Sequence, residues 1–447
     1  MNDTIVAIST ALGEGAISII RVSGDDAIKI INPLFDGKDL EKASSHTINY
    51  GHIVYNGEII DEVLLSIMKA PKTYTKEDVI EINTHGSIAV VNKIMEILLL
   101  EGCRLAEPGE FTKRAFLNGR IDLTESEGVM DLINSETELT RKMAINELSG
   151  NVSRLITDTR EDIISLISNI EVNIDYPEYE DIEVVTINKI REKVREIKEK
   201  LLKTLKLSED GKILKDGIKT VILGKPNVGK SSLLNALLEE EKAIVTDVKG
   251  TTRDIVEGSI LVGGVKLNLI DTAGVRKSDD IVEKIGIEKS LSLIDEAELV
   301  LLILDASCHL SEEDKYLLEK TKDKKRIIIM NKIDLNLNNS YMDDVIKISA
   351  KNNEGIEDIK DAIKKLFNVG TFMSKNLTFF TNVRQISLLK SAIKSLEDVE
   401  QGIKEEREID MIEIDLKLVW EKLGDIIGAN YTEELIDNLF SRFCLGK

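Results

Sequence analysis

The segment Gly224–Ser231, which reads G-K-P-N-V-G-K-S, constrains this chain more than any other feature. It fits the pattern G-x-x-x-x-G-K-[ST], in which the backbone N–H groups of a glycine-bracketed turn cradle phosphate oxygens. In that pattern Lys230 reaches the β- and γ-phosphates, and the hydroxyl of Ser231 binds Mg²⁺. The apolar segment 219–223 predicts a buried strand before the turn. Residues 232–238 predict the first turns of a helix whose N-terminus faces the phosphates.

Three further short segments each follow a predicted apolar strand. Asp271–Gly274 reads D-T-A-G, Asn331–Asp334 reads N-K-I-D, and Ser349–Lys351 reads S-A-K. The carboxylate of Asp334 accepts two hydrogen bonds, which matches the N1–H and 2-amino donors of guanine and not the edge of adenine. Asn331 can brace either the loop or the base, and the S-A-K backbone can donate to the guanine oxygen. Together these segments predict a site for GTP with Mg²⁺.

A fourth segment, residues 246–254, reads T-D-V-K-G-T-T-R-D and lies where a first switch segment belongs. A threonine there can bind Mg²⁺ while the γ-phosphate is present and release it after hydrolysis. The residues predicted to bind GTP are Asn227, Val228, Gly229, Lys230, Ser231, Ser232, Thr246, Asp247, Val248, Lys249, Gly250, Thr251, Thr252, Asp271, Thr272, Ala273, Gly274, Asn331, Lys332, Asp334, Ser349, Ala350 and Lys351.

The residues that catalyse hydrolysis are less obvious. Many small GTPases carry a glutamine after D-T-A-G to orient the attacking water, but this chain has Val275 there. Asn227 could help to hold a monovalent cation that spreads transition-state charge, and Glu283 could orient the water. A solvated helix position is the alternative for Glu283. Arg276 and Lys230 are further candidate catalytic residues.

The composition limits the class of protein. The net charge of −21 argues against a surface that coats nucleic acid nonspecifically, although a local basic patch is compatible with it. Three scattered cysteines are too few for a disulfide framework or a zinc site. No apolar stretch approaches the ~20 residues of a membrane span, and the N-terminus lacks the layout of a signal peptide. We therefore expect a soluble, cytoplasmic protein.

The pattern of predicted elements indicates a multidomain fold that combines α/β and all-α parts. Residues 1–118 predict an α+β domain, and residues 216–372 alternate strand and helix as a doubly wound phosphate-loop domain of the Ras-like GTPase type does. Residues 119–215 and 373–447 predict one helical domain in two halves. We therefore expect the nucleotide-binding domain to be inserted into the helical domain.

Local patterns predict individual elements within this plan. In the first domain they indicate strands at 4–8, 16–22, 47–54, 62–68 and 79–83, followed by a helix at 89–100. The sequence T-E-S-E from Thr124 to Glu127 predicts a capping box. Met411 and Trp420 lie on a helical stripe that predicts a core position for both.

Segments outside the nucleotide-binding motifs carry a resemblance to one family. The chain begins D-T-I-V-A at 3–7, has P-G-E-F-T-K-R-A-F-L-N-G-R at 108–120, and ends F-C-L-G-K at 443–447. In these segments it resembles the bacterial and organellar tRNA modification GTPases called MnmE or TrmE. The resemblance covers the whole chain, whereas the nucleotide-binding motifs are shared in kind with GTPases of ribosome assembly.

The resemblance implies a homodimer formed through N-terminal, folate-binding domains. A 5-formyltetrahydrofolate or related one-carbon donor would be bound by Arg21, Glu81, Arg120 and Lys447. Arg120 departs from the lysine that is frequent in the family, which keeps the charge but changes the contact geometry. Cys444 would offer thiol chemistry near the folate. Packing of the tail is the alternative role for Cys444.

The resemblance also implies how GTP hydrolysis is driven. The G domains would dimerise around GTP with K⁺, which the side chains of Asn227 and Thr251 and the backbone of Thr246 and Val248 would hold. Ser231 and Thr252 would hold Mg²⁺, and Glu283 would be the catalytic glutamate.

The implied partners are tRNA and the FAD-dependent protein MnmG, also called GidA, in a heterotetramer or larger assembly. Together they would install an aminomethyl or carboxymethylaminomethyl group on C5 of the wobble uridine, position 34 of certain tRNAs. One alternative is a ribosome-assembly GTPase, although no G-x-x-G loop of a KH domain is evident. The other alternative is a nonenzymatic dimer that senses GTP.

Overall fold

The computed structural model describes residues 3–175, 187–240, 258–270, 293–335, 344–373 and 377–447. The backbone divides into two compact units. The first comprises Met1–Met130, Ser153–Ile187 and Lys394–Lys447, and the second comprises Asp131–Val152 and Asn188–Ile393. No helix of the described residues is both long enough and apolar enough to cross a membrane.

The first unit contains a seven-stranded sheet in the order β3-β4-β5-β6-β2-β1-β7. Neighbouring strands are antiparallel except β1 and β7, which are parallel. This confirms the five strands predicted for the N-terminal domain. The strands are β1 (Ile5–Ile8), β2 (Gly15–Ser23), β3 (Phe35–Asp36), β4 (Thr47–Tyr55), β5 (Glu58–Met68), β6 (Val79–Gly86) and β7 (Arg104–Leu105).

Helices α1 and α2 pack into the same core as this sheet, and further helices of the unit follow later in the sequence. The predicted helix at 89–100 is confirmed as α2, and its apolar stripe packs into the same core as the sheet. The helices that begin in or belong to this unit are α1 (Ala27–Ile31), α2 (Ile88–Leu100), α3 (Glu110–Leu117), α4 (Leu123–Ile133), α13 (Ile409–Ile427) and α14 (Glu433–Phe440). Two long helices, α6 (Asn151–Asp175) and α12 (Val383–Lys404), run through the boundaries between the units.

The predicted capping box of α4 was wrong by two residues. The backbone N–H of Glu125 donates to Asp122 Oδ1 at 2.8 Å, and the N–H of Asp122 donates to Glu125 Oε2 at 2.9 Å. Asp122 therefore caps the helix, and Thr124 lies inside it with its hydroxyl donating to Asp122 Oδ1 at 2.8 Å. A carboxylate accepts the free N–H groups of a first turn as well as a hydroxyl does, so both registers satisfy the pattern.

The core position predicted for Met411 was also wrong. Met411 is 55% exposed, because the buried stripe of α13 runs one residue further along, through Ile412, Leu416, Val419 and Leu423. Trp420 is half-buried, and the Arg160 guanidinium stacks 4.0 Å from its ring centroid.

The second unit contains a six-stranded sheet in the order β13-β12-β11-β8-β10-β9. All neighbouring strands are parallel except β9 and β10, which confirms the predicted doubly wound domain. The strands are β8 (Ile218–Leu223), β9 (Gly258–Val262), β10 (Val265–Leu269), β11 (Leu299–Asp305), β12 (Arg326–Asn331) and β13 (Val345–Lys347). Central β11 is apolar up to Leu304 because helices and core side chains cover both faces of a parallel sheet.

Helices of the second unit flank this sheet and the segments that enter and leave it. The buried face of α7 includes Ile190, Val194, Ile197 and Leu201, which recur at spacings of three and four residues. The helices are α5 (Glu138–Leu148), α7 (Ile187–Asp216), α8 (Lys230–Glu240), α9 (Glu312–Lys320), α10 (Ile356–Leu366) and α11 (Val369–Phe372). Because β8, β11, β12 and β13 are parallel, the loops after their carboxyl ends meet at one edge of the sheet, which is where ligands bind in such folds.

Candidate functional site

The predicted phosphate loop connects the end of β8 to the start of α8. Lys230, the first residue of α8, donates from Nζ to the carbonyl oxygens of Gly224 at 2.5 Å and of Lys225 at 3.1 Å. Burial lowers the pKa of the Lys230 ammonium, and the nearby carboxylate of Glu313 opposes that shift. Ser231 is exposed in the first turn of the helix. The loop thus places a cation and a hydroxyl at a helix N-terminus, where anions are stabilised.

The side chain of Asn331 ties the phosphate loop to the S-A-K turn. Its Nδ2 donates to the carbonyl oxygen of Val228 at 2.8 Å, and its Oδ1 accepts from the N–H of Ala350 at 3.0 Å. Asn331 is 3% exposed, so both hydrogen bonds are shielded from water. Gly229 allows this approach, because a Cβ atom there would lie 2.2 Å from Asn331 Nδ2. In this structure Asn331 therefore braces the loop, one of the two roles predicted for it.

The residues predicted to read guanine lie beside this brace. Asp334 is exposed, and its Oδ1 accepts from the hydroxyl of the buried Ser349 at 2.7 Å. The Lys332 ammonium lies 2.6 Å from Asp305 Oδ2 at the end of β11. Lys351 is exposed on the same turn as Ser349. Ser349 thus holds the carboxylate of Asp334 while leaving it accessible to a ligand.

Ser232 is exposed beside Ser231 in α8. The remaining residues predicted for GTP, Mg²⁺, K⁺ and catalysis, apart from Asn227, lie outside the described residues, and their roles stay predictions. They are Thr246, Asp247, Val248, Lys249, Gly250, Thr251, Thr252, Asp271, Thr272, Ala273, Gly274, Arg276 and Glu283. Of the K⁺ candidates, Asn227 is described. It is exposed in the phosphate loop with φ at 63°, in the left-handed region that asparagine adopts more readily than most residues.

A second cluster forms in the first unit, where the C-terminal tail lies against the sheet. The Arg21 guanidinium donates from Nε to Glu81 Oε1 at 2.9 Å and from Nη1 to the carbonyl oxygen of Gly446 at 3.0 Å. Gly446 has φ at 85°, and a Cβ atom there would lie 2.6 Å from the Ile8 carbonyl oxygen. The hydroxyl of Ser9 also donates to the Gly446 carbonyl, at 3.3 Å. The tail is thus held against β1 and β2.

The four residues predicted for folate share this cluster. The guanidinium carbons of Arg21 and Arg120 lie 5.9 and 4.7 Å from the ring centroid of Tyr74. Burial lowers the pKa of the Lys447 ammonium and nearby Arg21 lowers it further, whereas Glu81 and the Cys444 thiol oppose the shift. The cluster, named here the tail pocket, consists of Arg21, Tyr74, Glu81, Arg120, Gly446 and Lys447. It combines three cationic side chains with an aromatic face.

The three cysteines differ in their surroundings. Cys444 is exposed in the tail, and its carbonyl oxygen accepts from the N–H of Gly109 at 3.2 Å. Cys103 is buried, which raises the pKa of its thiol to about 12. Cys308 is exposed in the loop after β11. The Cys103 thiol, with its raised pKa, is therefore unreactive at neutral pH.

Sequence reasoning missed several residues that complete these sites. Tyr74 and Ser9 in the tail pocket carry no recognisable motif, and their contacts join distant parts of the chain. The pairing of Lys332 with Asp305 could have been predicted from the sequence, because Asp305 ends the buried strand β11 at the same sheet edge as the nucleotide motifs. Lys225 inside the phosphate loop pairs with Asp314, which no motif indicated.

Comparisons with known proteins match this chain along its length. A family model described as the GTP-binding protein TrmE N-terminus matches residues 4–120, and one described as the MnmE helical domain matches residues 123–444. A tRNA modification GTPase MnmE from Streptococcus thermophilus is 53% identical over 450 residues, covering 100% of this chain and 98% of that protein. The MnmE of Streptococcus mutans is 51% identical, with 100% and 99% covered.

Among solved structures, the FeoB G domain of Methanococcus jannaschii matches with 24% identity and a TM-score of 0.25, covering 34% of this chain and 98% of that chain. The two family models together account for both units, and the relatives share about half of their residues with the full chain. This chain therefore belongs to the MnmE family of tRNA modification GTPases.

Proposed function

We propose that this protein binds and hydrolyses GTP and that it acts in the modification of tRNA. The observation that carries the proposal is the brace made by Asn331, which joins the phosphate loop at Val228 to the turn at Ala350. The Lys230 ammonium is held by carbonyls of the phosphate loop, and the Asp334 carboxylate is held by Ser349 of the turn. Phosphate binding and guanine reading are therefore parts of one connected site.

The described residues fit the magnesium ion that GTP hydrolysis requires. Ser231 is an exposed residue in the first turn of α8 and directly follows Lys230, so its hydroxyl can serve as an oxygen ligand. Thr252 would be a second ligand. Magnesium would neutralise charge on the phosphates, while Lys230 would exchange its two carbonyl partners for phosphate oxygens.

Hydrolysis itself would depend on K⁺ and on pairing of two G domains. Asn227 and Thr251 would hold the ion with the Thr246 and Val248 carbonyls. A fixed cation beside the phosphates would stabilise transition-state charge. Turnover measured in KCl and NaCl at equal ionic strength tests this part of the proposal. Equal rates in both salts would remove the cation from it.

Glu283 would orient the attacking water, with Arg276 as a further catalytic candidate. In that role Glu283→Ala removes turnover and spares GTP binding. Undiminished turnover of Glu283→Ala would exclude Glu283 from catalysis.

In the tail pocket, a tetrahydrofolate one-carbon donor such as 5-formyltetrahydrofolate would bind. Folates carry glutamate carboxylates and an aromatic pterin, which suit cationic side chains and the Tyr74 face. Arg21, Arg120 and Lys447 would meet the carboxylates, and Glu81 would orient Arg21. Cys444, whose carbonyl oxygen accepts from the N–H of Lys447 at 3.4 Å, would contribute its thiol.

The reaction that we propose is the addition of an aminomethyl or carboxymethylaminomethyl group to C5 of the wobble uridine in certain tRNAs, in the cytoplasm. A homodimer of this chain would act with the FAD-dependent protein MnmG in a heterotetramer or larger complex. Because this chain carries a net charge of −21, part of the tRNA surface would lie on the partner.

Mass spectrometry of tRNA nucleosides tests this function. A strain that lacks the gene is expected to lose the modified wobble uridine, and the wild-type gene should restore it whereas Lys230→Ala should not. An amount of modified wobble uridine in the deletion strain equal to that in the wild-type strain would contradict the proposal.

A further inference from the structure

The second residue of the phosphate loop, Lys225, makes a shielded ion pair outside the loop. Its Nζ lies 2.7 Å from Asp314 Oδ2, and the two side chains are 20% and 3% exposed. Hydrogen bonding to Asp314 raises the pKa of the Lys225 ammonium, which stays charged at neutral pH. The pair therefore places a compensated charge directly beside the loop.

Asp314 is fixed in place by the start of α9. Its Oδ2 accepts from the N–H and from the hydroxyl of Ser311, both at 2.9 Å, and its own N–H donates to the Ser311 hydroxyl at 3.3 Å. Its Oδ1 is buried without a hydrogen-bond partner. A buried carboxylate with an unsatisfied oxygen depends strongly on its one cation, because removing the partner leaves an uncompensated charge.

This carboxylate lies close to the groups that would hold phosphate. The carbonyl oxygen of Lys225 is one of the two acceptors of the Lys230 ammonium. Glu313, which precedes Asp314 in the acidic first turn of α9, acts on the pKa of Lys230. An uncompensated negative charge on Asp314, which contacts the side chain of a phosphate-loop residue, would oppose phosphate binding, and the effect would grow with the number of phosphates.

We propose that Lys225 is a positioning residue for the triphosphate. Lys225 neutralises the charge of Asp314, so that this carboxylate does not oppose the phosphates. It also holds the backbone of residues 224–225, whose carbonyl oxygens accept hydrogen bonds from the Lys230 ammonium. This inference rests on the GTP binding proposed above. It assigns a task to a position that the phosphate-loop pattern leaves open.

Binding of GTP and GDP to four full-length variants tests the proposal by calorimetry. Lys225→Met is expected to lose on the order of tenfold in GTP affinity and less in GDP affinity, since the unpaired carboxylate faces fewer charges. The double variant Lys225→Met/Asp314→Asn should recover to within about threefold of wild type, because the amide keeps the Ser311 hydrogen bond without the charge. Lys315→Met is the matched control. It removes an exposed lysine of α9 paired with Glu312 and should change nothing.

The outcomes separate this inference from the proposed function. A wild-type protein that fails to bind GTP would overturn the function. A wild type that binds while Lys225→Met binds equally well, or loses GTP and GDP equally, would overturn the inference alone. If Lys225→Met does not fold, the double variant still decides, because it carries no unpaired buried charge. If the double variant also loses about tenfold in GTP affinity, Lys225 does not act through Asp314.

Discussion

The nucleotide site and the tail pocket are assembled in opposite ways. In the nucleotide site, Lys230 is held by carbonyls five and six residues away, and Asn331 contacts Ala350 nineteen residues away and Val228 across 103 residues. In the tail pocket, Arg21 and Ser9 reach Gly446 across 425 and 437 residues. The first site is therefore built mainly from short segments at strand ends, whereas the second exists only when the last residues of the chain are docked.

This difference has physical consequences for the two sites. The phosphate loop is shaped by its own backbone and by the rigid sheet edge, so side-chain changes there should alter ligand binding more than folding. The tail is held by hydrogen bonds to the Gly446 and Cys444 carbonyls and by the packing of aromatic residues such as Phe440 and Phe443. Small changes in the tail should therefore disrupt its pocket without reaching the nucleotide site.

The largest expected effect is that of Lys230→Ala. Removing the ammonium should lower GTP turnover at least about a hundredfold, because one preorganised donor to transition-state charge contributes that much. Calorimetry with 5-formyltetrahydrofolate should give unchanged affinity in the tail pocket. Lys315→Ala serves as the control. A Lys230→Ala protein with turnover within threefold of wild type would contradict the assignment.

Asp334→Asn should produce the next largest effect. The amide loses one acceptor and presents a donor to the guanine 2-amino group, so GTP affinity should fall about a hundredfold. Xanthosine triphosphate, with an oxygen at that position, should gain affinity. Displacement of a fluorescent GTP analogue measures both changes. Asp323→Asn, an exposed aspartate of the same unit, is the control. Unaltered preference for GTP would show that Asp334 does not read the base.

Gly446→Ala should act on the tail pocket alone. A methyl group there meets the Ile8 carbonyl at 2.6 Å and strains a backbone with φ at 85°, so folate affinity should fall about tenfold. Gly13→Ala is the control, since nothing lies within 4 Å of its added Cβ. GTP affinity should stay as in wild type. Parallel losses of folate and GTP affinity would break the distinction between the two sites.

The smallest expected effect concerns His85 in the sheet of the first unit. A hydrogen bond and charge attraction to Asp61 raise the pKa of this exposed imidazole above its ordinary value of 6.5. The protonated form therefore stabilises the folded state fully below pH 6.5, and that contribution disappears as the pH rises through the raised pKa. The melting temperature of wild type should exceed that of His85→Gln at pH 5.5 and match it at pH 9. The same difference in melting temperature at both pH values would contradict a stabilising role for the protonated imidazole.

Sequence reasoning could outline a nucleotide site because each of its motifs is a short continuous segment. Each motif follows an apolar strand, and parallel strands bring their carboxyl ends to one edge. It failed where two registers fit equally, as when Asp122 rather than Thr124 capped α4. It also misplaced Met411, because a hydrophobic residue beside the buried stripe of α13 fits the same helical pattern.

The tail pocket could not be derived from local pattern. Arg21 and Lys447 lie at opposite ends of the sequence, and nothing in their spacing relates them; only the resemblance to a family brought them together. Tyr74, which lies under both Arg21 and Arg120, was missed because an isolated tyrosine in a loop has no signature. Long-range docking depends on tertiary packing that composition and periodicity do not record.

Competition against a fluorescent GTP analogue bound to the wild-type protein, in Mg²⁺ and K⁺, tests most directly whether the loop at Gly224 and the carboxylate of Asp334 form one guanine nucleotide site. GTP should displace the analogue at a concentration at least about a hundredfold lower than ATP does, as expected where hydrogen-bonding groups read the base. Equal displacement by ATP and GTP would contradict the account.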